Sequence, residues 1–178
     1  MVIEPLEAYH DRTSFDCGKP KMNEFFQKTA RQHADKDVGV THVVVEEDGA
    51  AHVMGFVTLS MKPVSRESLP AKGLPRGDYV VGFIGQIATD KGCQRRGIGE
   101  RLLFFALYNA QRVSETFGLI GVALDLLVDE GEGPVETARR RKFYLDRGFI
   151  PLAEDGNRLY ISMKDVRRLG ISERFGKM

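Results

Sequence analysis

The chain has 178 residues, 42% hydrophobic and 29% charged, with no Trp and a net charge of +1. That length suits one domain with a full core, and the near-neutral balance excludes a globally basic nucleic-acid binder, so any such site must be a local patch. No leader pattern opens the chain, no apolar run is long enough to cross a membrane, and Cys17 and Cys93 lie far apart. Free thiols in a reducing cytoplasm are expected, and His10, His33, His42 and His52 lack metal-ligand spacing, so no metal is expected.

Ser14-Phe15-Asp16-Cys17-Gly18-Lys19-Pro20 leads into the first helix. Pro20 suits its first turn, and Met22, Phe25, Phe26 and Ala30 recur at helical spacing to about His33. Thr41 to Glu46 is β-branched and reads as a strand. The turn Glu47-Asp48-Gly49 returns the chain into Val53 to Met61 as a hairpin partner. Lys62 to Tyr79 carries Pro63, Pro70, Gly73, Pro75 and Gly77 with few large apolar residues. It reads as a structureless segment, either a substrate-side lid or plain disorder.

Val80 to Thr89 is the next strand, with Val81, Phe83 and Ile87 in core-like positions. A long helix from Gly97 to Thr116 carries the stripe Leu102, Leu103, Phe105, Ala106, Ala110 and Val113. Gly121 to Val128 is apolar except for Asp125, the pattern of a strand buried on both faces. After the loop Asp129 to Gly133, Pro134 starts a helix that runs to about Arg147 and stops at Gly148. Phe149 to Leu152 and Leu159 to Lys164 flank the turn Asp155-Gly156-Asn157 as a second hairpin, and Asp165 to Met178 is a short helix or frayed tail. Strand, helix and strand alternate at the centre with hairpins at either end, which predicts one α+β domain around a mixed sheet flanked by helices.

The stretch with chemical content is Gln94-Arg95-Arg96-Gly97-Ile98-Gly99, between a strand and a helix. The first N–H groups of a helix lack intrahelical partners, and the dipole places positive charge there, so such a junction binds anions. Gly97 and Gly99 keep the backbone bare, and Arg95 and Arg96 add charge. A P-loop would need Lys-Ser or Lys-Thr, and a Rossmann fingerprint a third glycine; neither is present.

This hexapeptide, following Ile87-Ala88-Thr89-Asp90, resembles the acetyl-CoA motif Q/R-x-x-G-x-G/A of the GNAT N-acetyltransferases. Phe143-Tyr144-Leu145-Asp146-Arg147-Gly148-Phe149 is similar to the family's late F-Y-x-x-x-G-F segment. The resemblance implies a GNAT domain over 1–165 with a splayed sheet, a tail over 166–178, and acetyl-CoA as co-substrate. It implies that Gln94, Arg95, Arg96, Gly97, Ile98 and Gly99 cradle the pyrophosphate, and that Ile87, Ala88 and Thr89 offer backbone groups to the pantetheine and thioester. It also makes Tyr144 the acid that protonates the departing thiolate; read without it, Tyr144 is a half-buried aromatic on a core helix.

Many family members carry a Glu on the strand before the loop, where this chain has Gln86, which takes no proton at neutral pH. Asp125 is either a base or a carboxylate satisfied by hydrogen bonds. A site without a strong base suits an α-amine, of pKa about 7.7–8.0, better than a lysine amine of pKa about 10.4. Ser14 to Gly18, the helix with Asn23, Phe25 and Phe26, and Gly55-Phe56-Val57-Thr58-Leu59-Ser60 resemble GNAT toxins of bacterial toxin–antitoxin modules. That resemblance implies aminoacyl-tRNA as acceptor and a ribbon-helix-helix antitoxin as partner, and a homodimer is compatible with it. Arg139-Arg140-Arg141-Lys142, just ahead of Tyr144, is either a solvated face or a phosphate-attracting patch, with Gln86, Arg139, Arg140 and Lys142 the substrate-side candidates. The alternatives are a GNAT acting on a small amine, peptide or protein N-terminus, and a CoA-binding sensor, against which Tyr144 argues.

Overall fold

The computed structural model describes residues 1–70, 73–127, 133–152 and 156–171. Its strands are β1 (Val2–Pro5), β2 (Val40–Val45), β3 (Gly55–Ser65), β4 (Asp78–Thr89), β5 (Gly121–Asp125), β6 (Ile150–Pro151) and β7 (Arg158–Ser162). The helices are α1 (Pro20–Glu24), α2 (Ala30–Asp35), α3 (Ile98–Ser114), α4 (Pro134–Leu145) and α5 (Met163–Arg168). The strands form an open seven-stranded mixed sheet in the order β1-β2-β3-β4-β5-β7-β6. This is the α+β architecture expected, with the hairpins β2–β3 and β6–β7 present; the edge beside β2 is taken by β1, a strand that the sequence reading does not include. The chain packs as two compact units, Met1–Ser60 with Ile84–Ala106, and Met61–Phe83 with Leu107–Met178.

In the first unit β1, β2 and β3 pair antiparallel, with Ile3 opposite Val44 and Val43 opposite Phe56. Their buried side chains meet an aromatic cluster of Phe15, Phe26 and Phe56. The Phe26 and Phe56 rings stack at 4.3 Å, and Phe15 meets Phe56 edge-on at 5.3 Å. The N-terminal helix is not regular, as its spacing suggests, but opens into a π-helical turn at Phe25–Thr29 between α1 and α2. Neighbouring residues on an α-helix point about 100° apart. The widened turn brings both Phe25 and Phe26 onto Phe56.

In the second unit β5 pairs antiparallel with β7, Asp125 lying opposite Arg158, and β6 pairs with β7. Val122, Ala123 and Leu124 are all buried, as a strand covered on both faces requires. The helix ending expected at Gly148 is present: its φ is 88°, and its N–H donates to the Leu145 carbonyl at 3.0 Å.

Two expectations are corrected. Lys62 to Tyr79, of which Ala71 and Lys72 lie outside the described residues, is not structureless in the rest. Lys62 to Ser65 continues β3, a 3-10 turn covers Arg66–Ser68, and β4 begins at Asp78. The segment has apolar anchors after all: Val64 and Leu69 are buried with Val81 and Phe83, and Leu74 and Tyr79 pack against them. On β4 it is Ile84, not Ile87, that is buried beside Val81 and Phe83. Phe83 and Ile84 point to opposite faces, so both faces are covered there, whereas Gly85 to Thr89 is half-exposed. Asp129 to Glu132 of the expected loop, Asp155 of the expected turn and residues 172–178 of the expected tail lie outside the described residues.

Candidate active site

In the first unit the chain leaves β4 at Thr89 and is capped at once. The Asp90 carboxylate accepts the Gly92 N–H at 2.8 Å and closes a 3-10 turn, Lys91–Cys93. Cys93 is buried, Gln94 to Gly97 are exposed, and Ile98 is 2% exposed. Two residues of this exposed run have left-handed backbone, Arg95 at φ 62° and Gly97 at φ 77°. A Cβ added to Gly97 would meet nothing within 4 Å, and one on Gly99 would first meet Thr89 Oγ1 at 3.7 Å. The backbone entering α3 is therefore open on its outer side, and the leading amides of a helix have no intrahelical acceptor. Arg96 Nη2 lies 3.6 Å from Glu46 Oε2, a loose pair between exposed groups. Ile87, Ala88 and Thr89, half-buried, lead directly into this turn.

The start of α3 is seated by a glycine that motif reading passed over. A Cβ on Gly55 would lie 2.8 Å from Ile98 Cγ2 and 2.9 Å from the Ala88 carbonyl oxygen. Only a residue without a side chain lets the first turn of α3 and the end of β4 close on β3 this tightly.

In the second unit Tyr144 sits on α4, 5% exposed, edge-on to Phe143 at 5.1 Å and to Phe149 at 5.7 Å. Burial pushes its phenol up to about 12. No hydrogen bond joins its hydroxyl to any described residue. It is thus a neutral donor in an aromatic setting whose O–H has no acceptor among the described residues.

The chain matches the family model described as the acetyltransferase (GNAT) family over residues 5–149. It belongs to that family. It is 31% identical over 173 residues to a protein named probable toxin TacT from Sinorhizobium fredii, covering 94% of each chain. It is 28% identical over 162 residues to one named tRNA-acetylating toxin from Mycobacterium tuberculosis, covering 89% of this chain and 90% of the relative. A crystal structure of a tyrosine-to-phenylalanine mutant of KacT superposes with a TM-score of 0.83 at 26% identity, covering 94% of this chain and 98% of that one.

For a GNAT acetyltransferase the fate of Asp125 matters, because it is the alternative to the missing glutamate. Arg158 clamps it: Nε to Oδ1 is 2.6 Å and Nη2 to Oδ2 is 2.8 Å. That pair holds the carboxyl below its ordinary range, aided by Lys62 nearby. Asp125 is thereby a satisfied carboxylate, poorly suited to take a proton at neutral pH. Gln86 lies half-buried on β4, three positions before Thr89.

The basic run on α4 divides. Arg140 donates to the Leu127 carbonyl, and Lys142 pairs with Asp146 at 2.7 Å. The Arg141 guanidinium lies over Gly156, 3.1 Å from where a Cβ would stand. Arg139 is exposed and makes no hydrogen bond or ion pair with any described residue. Consecutive helix positions point in different directions, so the four do not form one face. Sequence reading also missed Asp16 and Asp90, which hold the approach to Gln94–Gly99. The Asp-x-Gly spelling of Asp90-Lys91-Gly92 is the local signal for the second; nothing local marks the first.

Proposed function

We propose that this GNAT enzyme transfers acetyl from acetyl-CoA to the α-amine of aminoacyl-tRNA, acting as the toxin of a toxin–antitoxin pair. The full-length likeness to proteins named as a probable toxin and a tRNA-acetylating toxin carries this reading. The open amides and positive backbone φ angles of Arg95 and Gly97 fit the pyrophosphate of acetyl-CoA. Gln94 to Gly99 would hold it, with Ile87, Ala88 and Thr89 alongside the pantetheine arm. Bound acetyl-CoA supplies a thioester whose carbonyl carbon accepts the amine nitrogen and whose sulfur departs.

The chain's own residues then manage protons. Tyr144, kept neutral by burial, donates its O–H to the sulfur as negative charge develops there. A phenol near 12 does not by itself fully protonate a thiolate of pKa about 8.5. The balance closes because the attacking nitrogen carries a surplus proton once its new bond to carbon forms. With Gln86 unable to accept and Asp125 clamped by Arg158, that proton leaves to solvent, and the Tyr144 phenolate takes one back from solvent, so that in sum the amine's proton replaces the one given to the thiol. Such a site serves an amine that is already partly neutral, and about one α-amine in seven is neutral at pH 7.

A ribbon-helix-helix antitoxin is the partner that the toxin likeness suggests. A cytoplasmic location follows from the substrates. Among the described residues no helix is long and apolar enough to cross a membrane, and Cys17 and Cys93 are free. A second reading, a small amine or peptide acceptor, is favoured by one observation: two of the four cations in the run Arg139–Lys142, Arg140 and Lys142, are engaged within the protein.

Acetyl transfer to charged tRNA, with uncharged tRNA and free amino acid as controls, at two salt concentrations, separates the two. Transfer to charged tRNA alone, weakening steeply with salt, is expected, because each neutralised phosphate releases counterions. Transfer to polyamines or lysine peptides and none to charged tRNA would leave the second reading standing.

A further inference from the structure

The loop Gln94–Gly99 has a backbone that does not hold itself. Arg95, a residue with a side chain, stands at φ 62°, and Gly97 at 77°. Glycine adopts such a conformation freely, but a residue with a side chain keeps it only where the surroundings impose it. The downstream end is fixed by Ile98 against Gly55. The upstream end, Asp90 to Cys93, is fixed by a segment from far away in the sequence.

That segment centres on Asp16. Its N–H donates to Asp90 Oδ2 at 2.9 Å, and its carbonyl accepts the Lys91 N–H at 2.8 Å. Its carboxylate accepts from Lys91 Nζ at 2.8 Å, from the Gly18 N–H at 2.8 Å and from Asn23 Nδ2 at 2.7 Å. Asn23 in turn accepts the Cys17 N–H at 2.9 Å, which locks the segment upon itself. Next to it Phe15, 2% exposed, is anchored in the aromatic core. Gly18, at φ 84°, makes room for the lysine: a Cβ there would lie 2.9 Å from Lys91 Cε. Asp90 joins the two sides, since its carboxylate takes the Asp16 N–H on one oxygen and the Gly92 N–H on the other.

We propose that Asp16 is a positioning residue for the donor: through Asp90 and Lys91 it sets the conformation in which Gln94–Gly99 receives the pyrophosphate of acetyl-CoA. The proposal rests on the reading of that loop as the pyrophosphate seat. Asp16 touches no donor atom; it acts by holding the turn that the loop springs from. Its carboxylate is held low, at about 2, by Lys91 first and by the Gly18 N–H and Asn23 besides, so the brace carries its charge throughout the neutral range.

The experiment compares acetyl-CoA with S-acetyl-pantetheine, which lacks the pyrophosphate together with the rest of the 3′-phospho-ADP moiety, by calorimetry on wild type, Asp16→Ala, Asp16→Asn and Lys91→Met, with thermal melts as the fold control. Asp16→Ala is expected to raise the acetyl-CoA Kd at least about tenfold, the scale of a lost charged hydrogen bond. It should leave the S-acetyl-pantetheine Kd unchanged, with Asp16→Asn intermediate. Lys91→Met removes only the ion pair and should move acetyl-CoA in the same direction by less. An acetyl-CoA Kd within about twofold of wild type, or an equal loss for both ligands, overturns the proposal. If Asp16→Ala does not fold, Lys91→Met decides by the same comparison. Gly97→Asp guards the premise: wild-type acetyl-CoA binding in that variant removes the pyrophosphate seat itself.

Discussion

In the proposed mechanism the run Gln94–Gly99 and helix α4 act through different parts of the residue. In the first, the chemistry lies in the main chain: amides at the start of α3, two left-handed residues and glycines that keep the approach open. In the second it lies in one side chain, the Tyr144 phenol, and everything around it is packing: Phe143, Phe149 and the helix end at Gly148. A main-chain site is sensitive to shape and indifferent to most side-chain changes. A side-chain site is the reverse, and substitutions should show opposite signatures in the two places.

The largest contrast is between Tyr144→Phe and Gly97→Asp. The first keeps the aromatic packing and removes only the hydroxyl, so turnover should fall about 10²–10⁴-fold, the range of general acid catalysis, with acetyl-CoA binding nearly unchanged. The second brings a carboxylate to the proposed anion seat, where its Cβ meets no neighbour but the left-handed backbone strains the loop locally, so the rest of the fold should survive while acetyl-CoA affinity is lost. Steady-state kinetics and calorimetry on both variants check this. Full turnover in Tyr144→Phe would return that residue to packing alone.

Gly55→Ala sharpens the contrast from the side of shape. The added methyl must displace Ile98 or the Ala88 carbonyl. A loss of about 1–3 kcal/mol is expected, the range for overpacking a tight contact, with weaker acetyl-CoA binding and unchanged Tyr144 chemistry at saturation. Denaturant melts and the ratio of kcat to KM separate the two effects. A variant as stable as wild type would mean that α3 can back away from β3 at no cost.

The smallest effect belongs to Asp125. Its depressed pKa means that whatever stability its charge lends is present above about pH 4 and lost as pH falls below that range, well under the working pH. Asp125→Asn should therefore leave the pH profile of kcat/KM in place. The rising limb should follow the acceptor amine, near 7.7–8.0, and Tyr144, at about 12, should add no limb below pH 10. A rising limb that disappears in Asp125→Asn would make that residue the base after all.

Much of the fold was legible in the residues because its signals are local. Glycines at fixed offsets, an apolar stripe at helical spacing and β-branched runs all report on neighbours a few positions away. The hairpins, α3 and the stop at Gly148 follow from such signals. What was not legible depends on partners distant in sequence. Val64 and Leu69 read as isolated apolar residues in a proline-rich stretch until Val81 and Phe83 cover them. Asp125 reads either as a base or as a hydrogen-bonded carboxylate until antiparallel pairing brings Arg158 opposite and decides it. Arg140 and Lys142 read either as a solvated face or as a phosphate-attracting patch, and neither alternative shows the carbonyl and the aspartate that take them up. Asp16 reads as part of a polar turn, and nothing in periodicity points to Lys91.

The separation of that last pair has a kinetic meaning. The ties between Asp16 and the Asp90–Lys91 pair span 74 and 75 residues. Closing so long a loop costs chain entropy before any contact rewards it, so such ties belong to the slow, late part of folding. A chain with its hairpins and α3 already formed, but with residues 14–18 undocked, has the composition of the donor loop without its shape. Competence to hold the donor is then one of the last properties the newborn molecule acquires. A ligand that recognises only the finished loop pulls folding to completion from its far end.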